Sequence, residues 1–464
     1  MINQDTICAI ATAQGGAIGV IRVSGSEAIN ITSRIFTPQG YLPLHERKAH
    51  TLTFGTIRSS EGEVIDEVLV SIFRAPHSYT GEDSTEISCH GSSYILQQVM
   101  KLLIANGCRL ANPGEYTQRA FLNGKMDLSQ AEAVADLIAS SSAATHRMAM
   151  NQMRGGFSKE LSLLSDKLLH LTSLMELELD FSDHEELEFA DRTELRQIAD
   201  EIERVISRLA ESFNVGNAIK NGVPVAIIGE TNAGKSTLLN ALLNEEKAIV
   251  SDVHGTTRDV IEDTIYLQGI TFRFIDTAGI RQTTDIVESI GIERTFQKIN
   301  QADIVLWMID GTGQTDFEEL KKEILPHCTD KNLIILFNKS DLLQDEQIQN
   351  LNYIFKDIDS PKLYISAKQQ KGIEELEELL IDMAALPEVS QNDVIVSNLR
   401  HYTSLKEALT SIHRVQEGLS TNLSGDFVSQ DLRECLSHLS TIVGDNFDPE
   451  TILGNIFKHF CIGK

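Results

Sequence analysis

The spacing of apolar residues divides the chain into stretches with different periods, some typical of strands and others of helices. In the first 120 residues, short apolar runs alternate with turns and a helical spacing follows; the runs are 18–23, 51–57, 64–73 and 85–88, and the helical spacing covers 92–105. Short strands with a helix and turn-rich connections predict an α+β domain. From about residue 128 to residue 213 there is no proline, and apolar residues recur at three- and four-residue steps, at Leu161, Leu164, Leu168, Leu171 and Met175. That spacing predicts a long helix packed on a partner.

Residues 217–385 show a different pattern of apolar residues. Apolar runs of strand length alternate with helical patterns, at 224–229, 271–276, 304–310, 333–338 and 363–366. This alternation predicts a mostly parallel sheet covered on both faces. Helical spacing then returns over 399–419 and 427–442. Because a domain can be inserted where the ends of a module lie close together, we expect one helical domain interrupted by an α/β module. The predicted domain boundaries are 1–120, 121–216, 217–385 and 386–464.

Charge and cysteine usage narrow the class of protein. The chain has 464 residues and a formal net charge of −27. Counterion release needs clustered Lys and Arg, so this balance excludes non-specific nucleic-acid binding over the whole surface. A nucleic-acid partner then requires a local basic patch or a second protein that supplies one. The six cysteines lack metal-ligand spacing, and the chain has no long apolar run and no signal-peptide pattern at its start. These features predict a cytoplasmic protein with free thiols and no membrane span.

Candidate chemistry begins where the first strand of the α/β module ends. Residues 229–236 read Gly-Glu-Thr-Asn-Ala-Gly-Lys-Ser, which matches the phosphate-loop pattern between a strand and a helix. In this pattern the backbone N–H groups and the helix N-terminus face the phosphates. Lys235 would neutralise the β- and γ-phosphates, and the hydroxyl of Ser236 would hold Mg²⁺. The loop alone predicts a nucleoside triphosphate and does not choose the base.

The base is indicated by motifs that follow two later strands. In Asn338-Lys339-Ser340-Asp341, the Asp341 carboxylate can accept from the ring N–H and the exocyclic amine of guanine, a donor pair that adenine lacks. Asn338 can bridge the base and the phosphate loop, and the stem of Lys339 can cover the base. In the Ser-Ala-Lys sequence at 366–368, the N–H of Ala367 can reach the guanine carbonyl. The wrong base would leave these groups unpaired, so the sequence predicts GTP.

Two segments between these motifs complete the predicted site. Thr257, in the sequence Gly-Thr-Thr-Arg at 255–258, would complete the Mg²⁺ shell, and Asp276 in Asp-Thr-Ala-Gly at 276–279 would hold a Mg²⁺-bound water. The next residue is Ile280, where Ras-like enzymes carry a glutamine that orients the attacking water. Either hydrolysis is slow, or another polar group, with Arg281 and Glu288 as candidates, completes the site. The residues predicted to contact GTP are Asn232, Ala233, Gly234, Lys235, Ser236, Thr237, Ser251, Asp252, Val253, His254, Gly255, Thr256, Thr257, Asp276, Thr277, Ala278, Gly279, Asn338, Lys339, Asp341, Ser366, Ala367 and Lys368.

These motifs resemble the MnmE family of tRNA modification GTPases, also called TrmE, within the TrmE-Era-EngA-like group. Further strings carry the likeness: Thr-Thr-Arg-Asp at 256–259, the stretches 19–25, 78–83 and 121–128, and the terminal Phe-Cys-Ile-Gly-Lys at 460–464. The resemblance covers the whole chain. It implies a multidomain α/β and α fold, with an N-terminal α+β folate-binding-like domain, a discontinuous helical domain and an inserted Ras-like P-loop GTPase domain.

The resemblance also implies an activity and partners. Members of the family act with the flavoprotein MnmG, which carries FAD, to add a carboxymethylaminomethyl or aminomethyl group at C5 of the wobble uridine in certain tRNAs. The one-carbon donor is a 5-formyl- or methylene-tetrahydrofolate held by the N-terminal domain, which also forms the homodimer. The homodimer and MnmG form a heterotetramer. A potassium ion takes the place of an arginine finger, neutralising charge that develops between the β- and γ-phosphates.

By position, the resemblance implies roles for particular residues. The K⁺ ligands would be Asn232, Ser251, Val253 and Thr256. Glu288 would orient the attacking water indirectly, alongside Lys235 and Thr257 as the other catalytic groups. The folate-binding residues would be Arg22, Glu82, Lys125 and Lys464. Cys461 could act as a nucleophile if nearby positive charge favoured its thiolate.

Two other functions stay open on the residues. An Era-like ribosome-assembly GTPase, acting as an RNA-binding module, shares the apolar residue after Asp-Thr-Ala-Gly, but such proteins usually carry a basic domain where this chain has an acidic helical one. The other alternative is a folate-binding protein whose GTPase only regulates its affinity.

Overall fold

A computed structural model describes residues 5–13, 15–180, 192–243, 263–275, 296–313, 317–387, 390, 393–421, 423–444 and 463. The chain divides into two compact units. One contains residues 1–139, 149–206 and 404–464, and the other contains residues 140–148 and 207–403. Each unit is built around a sheet of its own.

The first unit begins with an α+β fold, as the apolar runs predict. Its strands are β1 (Ile7–Ile10), β2 (Ile18–Ser24), β3 (Phe36–Pro38), β4 (Thr51–Arg58), β5 (Val64–Phe73), β6 (Ser84–His90) and β7 (Arg109–Leu110). Its helices are α1 (Ala28–Ile35), α2 (Ser93–Ala105) and α3 (Glu115–Leu122). The strand order is β3-β4-β5-β6-β2-β1-β7, with only the β1–β7 pair parallel among these neighbours.

One face of this sheet forms the core with α1 and α2. Burial alternates along β4 and β5, as expected when one side of an antiparallel sheet is covered and the other is not. The covered side carries Val70 and Ile72, which pack in one cluster with Ile21, Leu96 and Val99. The two helices therefore protect the sheet that carries the N-terminal candidate residues.

Four helices follow: α4 (Leu128–Ala139), α5 (Ala143–Met153), α6 (Gly156–Asp180) and α7 (Arg192–Asn221). The predicted long helix is α6. Its five apolar positions at three- and four-residue steps are all buried, from Leu161 to Met175. The predicted period therefore marks the face that packs on other helices.

The second unit holds the α/β module. Its strands are β8 (Val223–Gly229), β9 (Asp263–Leu267), β10 (Ile270–Phe274), β11 (Ile304–Asp310), β12 (Asn332–Asn338) and β13 (Lys362–Tyr364). Its helices are α8 (Lys235–Leu242), α9 (Phe317–Ile324), α10 (Asp345–Ile354) and α11 (Ile373–Ala384). The strand order is β13-β12-β11-β8-β10-β9. All neighbours are parallel except β9, which pairs antiparallel with β10 and forms the edge.

The sheet is buried on both faces, which explains the continuous apolar runs of its central strands. One cluster contains Val225, Leu306 and Leu336 on one side of the sheet, and another contains Trp307 and Phe337 on the opposite side. The strand expected at 271–276 is β10, which begins and ends slightly earlier, at Ile270 and Phe274. It follows β9 through a tight turn at Gln268 and Gly269.

The last helices are α12 (Leu399–Ser420) and α13 (Gly425–Val443), close to the predicted ranges. Helix α13 packs against α6, so helical stretches from before and after the α/β module meet. Arg433 of α13 donates to Glu176 of α6 at 2.5 Å. Among the described helices, none is long and apolar enough to span a membrane.

The α6 packing face gives a direct stability test. We expect Leu168→Ala to lower the free energy of unfolding by about 2–5 kcal/mol, because Leu168 is fully buried and truncation leaves a cavity. The matched control is Leu169→Ala, since the neighbouring Leu169 is 49% exposed and should change stability by less than about 0.5 kcal/mol. Urea unfolding followed by circular dichroism measures both. Equal losses would contradict the packing assigned to α6.

Candidate functional site

The carboxyl ends of four parallel strands meet at one edge of the six-stranded sheet. Strand β8 ends at Gly229, β11 at Asp310 and β12 at Asn338, and residues 365–368 directly follow β13. Ligands of open α/β sheets bind outside the carboxyl ends of the strands. The phosphate loop and both predicted base motifs therefore lie at the same edge.

The phosphate loop depends on two glycines whose backbone conformations other residues rarely adopt. Gly229 has φ of +142°, and a Cβ there would lie 2.1 Å from the carbonyl oxygen of Met308. Gly234 has φ of +101°, and its Cβ would lie 2.3 Å from Nδ2 of Asn338. Helix α8 begins at the next residue, Lys235. The loop thus passes close to two neighbouring strand ends and leads its N–H groups into a helix N-terminus, which suits an anion.

Lys235 folds back over the loop that precedes it. Its Nζ donates to the carbonyl oxygens of Gly229 and Glu230, both at 2.6 Å. Burial lowers the pKa of Lys235, and the charge of Lys298 lowers it further. A phosphate group in the loop would supply the negative charge that this half-buried ammonium lacks.

Asn338 joins three parts of the edge through one buried side chain. Its Nδ2 donates to the carbonyl oxygen of Ala233 at 2.7 Å, and its Oδ1 accepts from the N–H of Ala367 at 3.0 Å. Only 4% of Asn338 is exposed. The amide therefore ties the phosphate loop to the loop after β13 rather than to a base, and it takes the Ala367 N–H that was expected to reach the guanine carbonyl.

Asp310, at the end of β11, was not predicted from the sequence as a site residue. Its Oδ2 accepts from Nζ of Lys339 at 2.5 Å, and its Oδ1 accepts from the N–H and the hydroxyl of Thr312. Burial alone would raise the pKa of Asp310, but these hydrogen bonds outweigh it and hold the pKa below its usual value. Asp310 thus anchors Lys339, whose φ is +60°. The sequence feature that could have identified Asp310 is an acidic residue at the end of an apolar strand, at the carboxyl edge of the sheet.

The remaining described residues of this site differ in exposure. Asp341 is exposed, and its Oδ2 accepts from Nε2 of Gln369 at 3.2 Å. Asn232, Thr237 and Lys368 are also exposed, whereas Ala233, Ser366 and Ala367 are buried and Ser236 is intermediate. Within the described part of the site, exposed polar groups therefore border a buried frame.

Many predicted site residues lie outside the described residues. They are Ser251, Asp252, Val253, His254, Gly255, Thr256, Thr257, Asp276, Thr277, Ala278, Gly279, Ile280, Arg281, Glu288, Cys461 and Lys464. Their assignments stay predictions.

A second group of candidates lies in the N-terminal fold, beside a cavity of about 150 Å³ lined in part by Arg22, Tyr79 and Glu86. Nε of Arg22 donates to Oε1 of Glu86 at 2.9 Å, and the guanidinium lies 5.4 Å from the centre of the Tyr79 ring. The hydroxyl of Tyr116 donates to the Arg22 carbonyl oxygen at 2.8 Å. Glu86 and the two tyrosines, which sequence reasoning missed, therefore hold Arg22 in place.

Lys125 lies beside the loop that carries Glu82. Oε2 of Glu82 accepts from Oγ of Ser24 at 2.8 Å, and Oε1 accepts from Nη1 of Arg119 at 3.2 Å. Nζ of Lys125 donates to the carbonyl oxygen of Pro76 at 2.9 Å. The Lys125 stem passes Gly81, the residue before Glu82. The structure thus brings an acidic and a basic candidate to one loop.

A parallel sheet whose phosphate loop is bonded to the base-recognition loop defines a P-loop protein of the guanine-nucleotide-binding class. Two family models match the chain: the GTP-binding protein TrmE N-terminus over residues 6–125, and the MnmE helical domain over residues 128–461. The chain belongs to the MnmE family of tRNA modification GTPases.

Individual proteins agree with this assignment. The tRNA modification GTPases MnmE of Phocaeicola vulgatus and Bacteroides thetaiotaomicron are each 68% identical to this chain. Each likeness covers 100% of this chain and 100% of the relative. Among solved structures, translation elongation factor SelB from Methanococcus maripaludis with a GTP analogue is similar at 20% identity and a TM-score of 0.28, over 36% of this chain and 35% of that chain. That TM-score is too low to define the fold.

The Asn338 bridge can be tested by removing it. We expect Asn338→Ala to weaken guanine-nucleotide binding about ten- to a hundredfold, because two buried groups lose their partner at once. Asn332→Ala is the control, since Asn332 lies on the same strand but is exposed, and its side-chain amide donates to the Met383 carbonyl oxygen, away from both loops. Titration with a fluorescent GDP analogue measures both affinities. An Asn338 variant that binds as tightly as the Asn332 variant would refute the bridge.

Proposed function

We propose that this chain is a potassium-dependent GTPase that acts with a flavoprotein of the MnmG type to modify C5 of the wobble uridine in certain tRNAs. The observation that carries the GTPase part is the Asn338 bridge, which makes the phosphate loop and the base loop one rigid unit. The tRNA part is supported by the full-length likeness to proteins named tRNA modification GTPase MnmE.

At the nucleotide, each described residue has a chemical task. Lys235 exchanges its two loop carbonyls for the β- and γ-phosphates, which accept more strongly because they are charged. Asp341 accepts from the two donors of guanine, while the Lys339 stem, held by Asp310, covers one face of the base. The N–H of Ala367, expected to reach the guanine carbonyl, donates instead to Oδ1 of Asn338 and holds the base loop to the phosphate loop. Binding therefore selects guanine through groups that adenine would leave unpaired.

Two cations fit the residues of the loop. The Ser236 hydroxyl, on the first turn of α8, suits Mg²⁺, with Thr257 as the other protein ligand. Asn232 is exposed in the phosphate loop, with φ of +67°. Its side-chain amide oxygen is a ligand that suits K⁺, and Ser251, Val253 and Thr256 would supply the other ligands. Bound cations would supply charge neutralisation between the phosphates. Glu288 would orient the attacking water where Ile280 cannot.

In the N-terminal fold we propose a site for 5-formyl- or methylene-tetrahydrofolate. The guanidinium of Arg22 and the ammonium of Lys125 suit the carboxylates of a glutamate tail, and the Glu82 carboxylate suits the N–H donors of the pterin. Lys464 would complete the site. The cavity of about 150 Å³ lined by Arg22, Tyr79 and Glu86 supports this proposal because it presents a fixed cation, an aromatic side chain and a carboxylate to one ligand. Because ligand pockets usually measure about 300–1,000 Å³, this cavity would hold one end of the folate and not the whole molecule.

The proposed working form is a cytoplasmic homodimer that joins a flavoprotein carrying FAD in a heterotetramer, with Cys461 as the nucleophile for the modification. Family membership over the full length gives the ribosome-assembly alternative no support. The folate protein with a merely regulatory GTPase is distinguished by a nucleotide-hydrolysis variant: if tRNA is still modified without hydrolysis, the regulatory function is correct.

Potassium dependence gives the first test. We expect GTP turnover to be roughly ten- to a thousandfold faster in KCl than in NaCl, because a charge-neutralising group at the transition state has effects of that size. Asn232→Ala should remove most of this difference. Asn240→Ala, an exposed asparagine on α8, should keep it. Equal wild-type turnover in the two salts would refute the cation proposal and leave GTP binding intact.

The tRNA function is tested by nucleoside analysis of tRNA from cells that lack this gene. We expect loss of the modified wobble uridine, restored by the wild-type gene and not by the Asn232→Ala variant, because modification depends on turnover. Mass spectrometry of digested tRNA measures it. Unchanged nucleosides in the deletion strain would refute the proposed function and leave the GTPase assignment standing.

A further inference from the structure

Arg119, on α3, lies among three carboxylates with only 5% of its side chain exposed. Its Nη1 donates to both oxygens of Glu82, at 3.2 and 3.3 Å, and to the carbonyl oxygen of Asp5. Its Nη2 donates to Oδ1 of Asp5 at 2.8 Å and to Oε1 of Glu115 at 2.9 Å. One guanidinium therefore connects the first described residues, α3 and the loop before β6.

Arg109, on β7, shares two of these partners. Its Nε donates to Oδ2 of Asp5 at 2.6 Å, and its Nη2 donates to Oε1 of Glu115 at 2.6 Å. Among the described residues, Arg109 makes no hydrogen bond or ion pair with Glu82, and its side chain is 35% exposed. Arg109 therefore resembles Arg119 in its structural contacts and differs in the one contact that reaches the proposed folate residue.

The charge of the cluster explains why the contact between Arg119 and Glu82 matters. Two guanidiniums face three carboxylates, so the cluster keeps one negative charge in excess. The hydrogen bond from Arg109 lowers the pKa of Asp5. Burial would raise the pKa of Glu115, but hydrogen bonds from Arg109, the Asn112 N–H and Arg119 lower it overall. All the cationic contacts to Glu82 that the described residues show come from Arg119.

We infer that Arg119 is a positioning residue for the proposed folate site, which fixes the direction of the Glu82 carboxylate through a hydrogen bond to it. The inference rests on the proposed folate function. Oε2 of Glu82 accepts from Ser24 and Arg119, whereas Oε1 accepts from Arg119. Because a carboxylate oxygen can accept two hydrogen bonds, Oε1 can take a further donor from a pterin. The planar guanidinium holds Glu82 and Glu115 at a fixed angle, which a lysine cannot do.

The test compares Arg119→Gln with Arg109→Gln by titrating the full-length chain with 5-formyltetrahydrofolate in a calorimeter. Both variants should lose thermal stability because both lose contacts to Asp5 and Glu115, and Arg119→Gln should lose more because Arg119 is the more buried of the two. Arg119→Gln should weaken binding by about tenfold or more, the size of one charged hydrogen bond, whereas Arg109→Gln should stay within about threefold of wild type. In a Glu82→Gln background, Arg119→Gln should have little further effect on binding.

Arg119→Lys keeps the positive charge and should remain folded. It should also weaken binding, because its single ammonium nitrogen cannot occupy the separate positions from which Nη1 reaches Glu82 and Nη2 reaches Glu115. Folate binding unchanged in either folded Arg119 variant overturns the inference. Equal weakening by Arg119→Gln and Arg109→Gln also overturns it, since a structural effect would then suffice. If the wild-type chain does not bind 5-formyltetrahydrofolate at all, the proposed folate site itself fails, and the inference fails with it.

Discussion

The nucleotide site depends on the two hydrogen bonds of the Asn338 amide. One end donates to the phosphate loop at Ala233 and the other accepts from the loop at Ala367, so three strand ends share one buried group. An aspartate would present an oxygen to the Ala233 carbonyl and a leucine would leave both backbone groups unpaired in a buried place. The amide is thus the side chain of this size that offers a donor and an acceptor at once. Gly234 is required next to it, because a Cβ would collide with the same nitrogen.

The N-terminal candidate site is built on a different principle. The phosphate loop offers mainly backbone groups, which tolerate changes at exposed neighbours, whereas the folate candidates are charged side chains held by other charged side chains. Arg22 is held by Glu86, and Glu82 is held by Arg119. Removing one member leaves a partly buried charge without its partner, which costs more than the lost attraction alone. Substitutions in residues that support the site should therefore weaken ligand binding more readily at the folate candidates than at the nucleotide site.

The sequence predicts the frame of the nucleotide site well and its supporting contacts poorly. Runs ending at Gly229 and Asn338 are long and apolar, so their strands and the motifs after them could be located. Strand β7 has only two residues, too few to show an alternation of apolar and polar positions. The edge strand β9 pairs antiparallel with β10, which the apolar runs do not predict. The bonds from Lys339 to Asp310 and from Arg119 to Asp5 join residues 29 and 114 positions apart. No local pattern encodes such contacts, because they depend on how the elements pack.

The charge of the chain bears on how it would meet its proposed tRNA substrate. A net charge of −27 opposes a polyanion, and several cations of the helical stretches are already neutralised: Arg414 bonds Asp431 and Glu434, and Lys167 bonds Glu201. The buried Arg119 is also occupied by carboxylates. Exposed phosphate contacts need free Lys and Arg on a surface. A local basic patch on this chain, or a second protein that supplies positive charge, would meet this requirement.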